Sequence, residues 1–358
     1  MQAVVLVGGE GTRLRPLTYD IPKPMLPIVG RPIIARVVEW LALHDVTRAV
    51  LALGYRPDPF LEAFPESSWE GVELLYSTEP APLDTAGAIA YAADFAGMSA
   101  ERIVVLNGDV LTDLDLSKLV AYHEERGGAT SIALTPVDDP SPYGVVAIDY
   151  DGRITKFVEK PRPGTEPSHL INAGTYVMEP EAIAMIERGR PVSIEREILP
   201  ELATRGALYA LDSDAYWIDT GTPARYISAQ LDVVAGMRPN VILPESKERA
   251  PGVLEGTGAS IYGDVRANSF VGSHATIESG ALVENAIISA AVRVAEGAVV
   301  RNSVLLRDAI VERGVKIDDT IVGPHSVIGA SATVMGCVVG ANHTVEEGAV
   351  LIDERCPD

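Results

Sequence analysis

The chain has 358 residues, room for two or three domains at roughly 150 residues each, every one with a core of its own. Hydrophobic residues make up 47% and charged residues 22% of it, a globular composition that excludes wholesale disorder and fibrous repeats. With Lys+Arg 29 against Asp+Glu 50 the net charge is -21, the wrong sign for gripping a phosphate backbone. Nucleic acid and anionic membranes are therefore not expected partners.

The start, Met1 to Val7, is apolar without a basic leader, so no secretory signal is expected. The most apolar long stretch, Ile33 to Leu53, carries Arg36, Glu39, His44, Asp45 and Arg48, which denies it the ~20 apolar residues of a membrane helix. A soluble, cytoplasmic protein is expected. Cys337 and Cys356 can build neither a disulfide framework nor a zinc site and are read as inert or surface thiols.

In chain order, strand-like Ala3 to Val7 leads to helix-like Pro32 to Leu43, strand-like Ala49 to Leu53, helix-like Thr85 to Phe95 and strand-like Ile103 to Leu106. That alternation implies βαβ units, whose ligands sit beyond the carboxyl ends of the strands, here after Val7 and Leu106. Trp40 and Phe95 are expected in the core, and His44 and His123 on helix surfaces. The six histidines show no metal-ligand spacing. Residues 236–252, rich in Pro, Glu and Lys and without a period, read as a linker between a domain over residues 1–235 and a second over 253–358.

Beyond the linker the aliphatic residues can be counted. Val271, Ile277 and Val283 are spaced by six, as are Ile288, Val294 and Val300; Leu305, Val311 and Ile317; Val322, Ile328 and Val334; Val339, Val345 and Leu351. Each triplet begins five residues after the previous one ends, a period of 17 that describes a triangular parallel β-helix of five coils or slightly more. Gly272, Gly297, Gly314 and Gly329 are expected at its tight corners.

The first strand runs into Gly8-Gly9-Glu10-Gly11-Thr12-Arg13-Leu14-Arg15-Pro16. Such a loop lets backbone N–H groups approach a phosphate, and Arg13, Arg15 and Lys23 concentrate positive charge beside it in an acidic chain. The spacing is neither the Rossmann nor the Walker pattern. Asp109 and Asp219 each follow an apolar or aromatic segment at a strand end, and two such carboxylates suit a hard cation.

The loop together with Pro22-Lys23-Pro24-Met25-Leu26-Pro27 resembles the signature of the sugar-1-phosphate nucleotidylyltransferases, or NDP-sugar pyrophosphorylases. Pro82 to Ala88, Asn107-Gly108-Asp109, Phe157 to Pro161 and Tyr216 to Gly221 keep that family's order. Ile171-Asn172-Ala173-Gly174 and Ser193 to Pro200 are most similar to the mannose-1-phosphate guanylyltransferases among them. The resemblance implies an α/β chain: a Rossmann-like nucleotidyltransferase domain with a mixed, mostly parallel sheet, then a C-terminal left-handed parallel β-helix, whose exposed strand edges and flat faces are expected to be paired in a homo-oligomer.

It also implies the chemistry: a sugar 1-phosphate attacks the α-phosphate of GTP with Mg²⁺ and expels pyrophosphate, giving GDP-mannose from mannose 1-phosphate. By resemblance Arg13, Lys23 and Asp109 are catalytic. Leu6, Gly8, Gly9, Gly11, Thr12, Asp84, Thr85 and Gly108 bind the nucleotide, and Gly144, Glu159, Lys160 and Asn172 the sugar phosphate. Asp109 and Asp219 hold the metal. Asp84 stands where many relatives have glycine; its carboxylate suits guanine N1–H and N2–H, or caps the helix that follows. Glucose 1-phosphate with UTP, dTTP or ATP is the alternative chemistry, and a non-catalytic regulatory subunit the alternative class.

Overall fold

The computed structural model describes residues 1–54, 57–238 and 240–357. They form two compact units, residues 1–9 with 37–217 and residues 10–36 with 218–358.

The first unit is built on a ten-stranded sheet. Its parallel centre consists of β1 (Gln2–Leu6), β2 (Arg48–Leu53), β4 (Val72–Thr78) and β5 (Ile103–Asn107), with β3 (Ser68–Trp69) antiparallel to β4 at one edge. Beyond β5 the neighbours are antiparallel. β9 (Leu170–Met178) pairs with β5, with β6 (Thr130–Pro136) and with β7 (Gly144–Ile148); β7 in turn pairs with β8 (Ile154–Glu159), and β10 (Leu208–Asp212) runs parallel to β6. The run Val4, Val50, Val105, Ile132 and Tyr176 shows why: strands buried on both faces read as nearly continuous apolar segments.

Helix α1 (Ile33–Ala42) matches its expected span within a residue, and Trp40 lies in the core with its indole N–H donated to Leu114 O at 3.0 Å. Helix α2 (Asp84–Phe95) packs on β1 and β2 and is buried at Ala86, Ala88, Ile89, Ala90, Ala92 and Ala93, mostly small residues that permit close approach. Phe95 corrects an expectation: at the last position of α2 it is 57% exposed. His123 corrects another. It sits on α3 (Leu116–Arg126) only 1% exposed, its Nδ1 2.8 Å from Ser131 Oγ and its Nε2 3.1 Å from Glu179 Oε1.

The second unit carries the β-helix. Its strands stack in parallel with Val271, Ile288, Leu305, Val322, Val339 and Cys356 in one column. Ile277, Val294, Val311, Ile328 and Val345 form the second column, and Val283, Val300, Ile317, Val334 and Leu351 the third. All fifteen counted aliphatics thus face inward, and only Leu351, on the last coil, is not fully buried. A further coil precedes them, with Val253 opposite Ser269, Ser260 opposite Thr276 and Asp264 opposite Leu282. Those offsets, 16, 16 and 18, escape a count in steps of 17. Within the expected linker, Ser246–Ala250 is a strand that pairs antiparallel with Val253–Gly256 and covers the first edge.

Each corner repeats a left-handed residue at the same period. One corner has Asn268, Asn285, Asn302 and Asp319; another has Gly280, Gly297, Gly314, Ser331 and Gly348. Asn tolerates that backbone, and the first corner adds a ladder: Asn268 donates to Asn285 at 2.6 Å, Asn285 to Asn302 at 2.7 Å and Asn302 to Asp318 at 2.8 Å. Gly272 and Gly329 serve differently, because a Cβ on either would stand 2.7 Å from a backbone nitrogen of the next coil. Both cysteines are buried rather than superficial, and burial pushes the Cys337 thiol up, which makes it inert. Helix α4 (Pro223–Val234) packs on strand Ser269–Val271. Among the described residues no helix is long and apolar enough to cross a membrane.

Candidate active site

In the second unit, the loop from Gly11 to Lys23 is folded by its own hydrogen bonds. Leu14 N donates to Gly11 O at 2.9 Å, and so does Thr18 Oγ1 at 2.9 Å. Gly11 has φ +59, and a Cβ there would crowd Lys23 Cβ and Thr18 Cγ2 at 3.0 Å, so the turn needs glycine. Thr12 and Arg13 stay exposed while Lys23 is buried.

Asp219 is the focus of this unit's charge. Its carboxylate accepts from Lys23 Nζ at 3.2 Å, from Gly221 N at 2.9 Å and from Arg13 Nη2 at 3.5 Å, and Arg225 Nη1 stands 3.9 Å away. Gly221 leaves room for this, since a Cβ on it would collide with the Arg13 guanidinium and the Asp219 carboxylate. Arg225 is placed by the first turn of α4, whose cap Thr222 Oγ1 accepts from Arg225 N at 3.4 Å. Three cations gathered on one carboxylate concentrate positive charge of the kind an anionic ligand suits.

The first unit gathers the expected sugar-phosphate residues at neighbouring ends of β7, β8 and β9. Gly144 lies opposite Glu159, and a Cβ on Gly144 would stand 3.0 Å from Glu159 Oε2, so only glycine leaves that backbone open. Lys160 Nζ is 3.6 Å from Glu159 Oε1; its own backbone is left-handed (φ +47), and its N–H is donated to Tyr143 O at 2.9 Å. Asn172 donates to Tyr176 Oη at 2.8 Å and accepts from Gly174 N at 3.1 Å, which fixes its amide. Burial holds the Glu159 carboxyl above the usual range, and the neighbouring Glu195 carboxylate adds to this. Trp217 packs edge-on to Tyr143 at 5.7 Å and donates to Ala173 O at 2.9 Å.

Glu195 accepts from Thr85 Oγ1 at 2.8 Å and from Ser193 Oγ at 2.9 Å. Thr85 Oγ1 also accepts from Ile194 N at 2.8 Å, so that hydroxyl is engaged within the protein. Asp84 is exposed with φ +58, and its Oδ1 accepts only from the adjacent Thr85 N at 2.7 Å; it is the first residue of α2, Leu83 holds the cap position, and the helix start takes no side-chain cap, so the expected capping role is not seen. Gly8 and Gly9 lie exposed beyond β1, where Leu6 pairs with Asn107. Gly108 N donates to Leu6 O at 2.8 Å, and Asp109 follows half-buried at the carboxyl end of β5.

Residues 2–236 match the family model described as nucleotidyl transferase. The chain belongs to the nucleotidyl transferase family. Residues 265–356 of this nucleotidyl transferase match the model of the GMPPB C-terminal domain. A mannose-1-phosphate guanylyltransferase of Mycobacterium tuberculosis is 36% identical over 298 residues, 82% of this chain and 81% of that protein. Mannose-1-phosphate guanylyltransferase 1 of Arabidopsis thaliana is 39% identical over 288 residues, covering 79% and 74%. Among solved structures, HddC from Yersinia pseudotuberculosis is 32% identical with a TM-score of 0.57, covering 65% of this chain and 99% of that one. Its structure complexed with GMP-PN gives a TM-score of 0.56 at the same identity and coverage.

Arg225 and Glu195 join the site without having been expected there. Arg225 carried a signal, a cation six residues after Asp219 just inside a helix start. Glu195 carried only its place in the Ser193 to Pro200 motif. For a metal, the available donors are hard carboxylate oxygens. Among the described residues no group of three His, Cys, Asp or Glu side chains could form a cage. That donor set fits magnesium, which is held by one or two carboxylates and completed by substrate phosphates and water.

Proposed function

We propose that this nucleotidyl transferase is a mannose-1-phosphate guanylyltransferase, joining GTP and mannose 1-phosphate to give GDP-mannose and pyrophosphate. The observation that carries the proposal is the convergence of Arg13, Lys23 and Arg225 on Asp219. The names of the relatives support the choice of base and sugar.

In this reading Arg13 and Arg225 grip the triphosphate, and buried Lys23 stands beside the α-phosphate as a point charge. Gly8, Gly9, Gly11 and Thr12 offer backbone N–H groups to the phosphates. Leu6, Thr85 and Gly108 border the nucleoside, and the exposed Asp84 carboxylate accepts from guanine. Lys160 holds the phosphate of the sugar, while Gly144, Glu159 and Asn172 hold its hydroxyls. Asp109 and Asp219 are the carboxylates assigned to Mg²⁺, which when bound neutralises phosphate charge. A sugar-phosphate oxygen forms the new bond to the α-phosphorus as the bond to the β-phosphate oxygen breaks. Arg13 and Lys23 stabilise the charge that leaves with pyrophosphate.

The β-helix serves self-association in this account, supported by exposed Met335, Val350 and Ile352 on its last two coils. The test of the activity is product analysis. GTP and mannose 1-phosphate with Mg²⁺ should yield GDP-mannose and pyrophosphate in equal amounts, and chelation should abolish both. A folded protein that binds GTP without forming product would instead be a regulator.

A further inference from the structure

We infer that the last coils of the β-helix form a shelf that sets the position of the phosphate-gripping loop, with Gly340 as the positioning residue. Gly340 follows the buried Val339, and its backbone is pinned: its N–H is donated to Cys356 O at 2.6 Å, and its carbonyl accepts from the fully buried Ser326 Oγ at 2.6 Å. A Cβ on Gly340 would stand 3.1 Å from Pro16 Cγ and 3.2 Å from Pro16 Cβ, so the loop rests on bare backbone.

Pro16 is itself buried, as are Leu17 and Thr18, whereas Thr12 and Arg13 of the same loop are exposed. From the shelf the chain is tied forward without slack. Tyr19 N donates to Pro16 O at 3.1 Å, Thr18 Oγ1 to Gly11 O at 2.9 Å and Arg15 N to Thr12 O at 3.2 Å. A proline ring cannot fold away as a long side chain can, so any bulk on Gly340 moves the loop that displays Arg13. The inference rests on the proposed role of that loop in holding GTP.

The test is a double-mutant cycle on the full chain, read by GTP binding in calorimetry and by separate KM values for GTP and mannose 1-phosphate. Gly340→Val should weaken GTP binding about tenfold, within the ~100-fold that a 1 Å misplacement can cost, with the mannose 1-phosphate KM and the unfolding midpoint little changed. In a Pro16→Gly background, where the ring and its Cβ are both gone, the same substitution should have little further effect. Thr344→Val, exposed on the same stretch of β-helix, should change neither KM. Unaltered GTP affinity in folded Gly340→Val, or equal losses in both backgrounds, would overturn the inference. If Gly340→Val does not fold, Gly340→Ala decides by the same readouts. A parent protein that binds no GTP would instead overturn the functional reading.

Discussion

Glu159 sets function against stability at a single side chain. Its carboxyl titrates above the usual range because it is buried, with Glu195 nearby. The folded chain therefore keeps a proton at pH values where the unfolded chain has released it, and this group's contribution to stability falls as pH rises through that window above the ordinary carboxylate value. Glu159→Gln should raise the unfolding midpoint at pH 7 to 8 and flatten its decline with pH. The same change should raise the mannose 1-phosphate KM by roughly 10- to 100-fold, the loss of a hydrogen bond to a charged group worth ~1.5–3 kcal/mol. A lowered midpoint would show that the charge is well compensated. On the nucleotide side, Lys23→Ala removes the buried cation on Asp219 and should cut kcat about 100- to 1,000-fold. Arg225→Gln should mainly raise the KM for GTP and, in the reverse reaction, for pyrophosphate. Initial rates in both directions separate the two.

The coil is the element in which sequence and structure correspond most directly. Inward positions six, six and five apart fell on three stacked columns, because each face of a triangular coil turns the same position inward, preceded two residues earlier by a second buried residue such as Ala275, Ala281 or Ala286. The coil at Val253–Val265 was illegible because its offsets of 16 and 18 break the period. His123 and Phe95 misled for a related reason. Helix periodicity places a residue on a face but does not say whether Ser131 and Glu179 arrive from elsewhere to bury it, or whether the helix end is left uncovered. In the site, Arg13, Lys23 and Asp219 were legible as motif residues, while Arg225 emerged only when the start of α4 was placed beside Asp219. Deleting residues 290–306, one 17-residue coil, should leave a cooperatively folding β-helix, and deleting residues 290–298 should not, because it turns polar residues inward. The 17-residue deletion moves the last coils by one strand spacing, ~4.8 Å. Its GTP affinity should therefore fall although its circular dichroism persists.

Across the whole molecule, the two ends of the β-helix are treated differently. Ser246–Ala250 covers the first edge of one of the three sheets, whereas at the other end Thr344–Val345, Val350–Ile352 and Arg355–Cys356 each end their sheet among the described residues. Val350 is 64% and Ile352 58% exposed there, apolar surface beside open edges that self-association would cover. Light scattering should give a homo-oligomer for the intact chain and a smaller species for Val350→Glu/Ile352→Lys. A monomeric parent would contradict this.

The nucleotide and the sugar that this cluster of charges serves are open to direct assay. The most direct measurement is kcat/KM for pyrophosphate release with Mg²⁺, over GTP, ATP, UTP, dTTP and CTP against mannose, glucose and N-acetylglucosamine 1-phosphates. A single dominant pair is expected, GTP with mannose 1-phosphate. A maximum at glucose 1-phosphate with UTP, dTTP or ATP would contradict it.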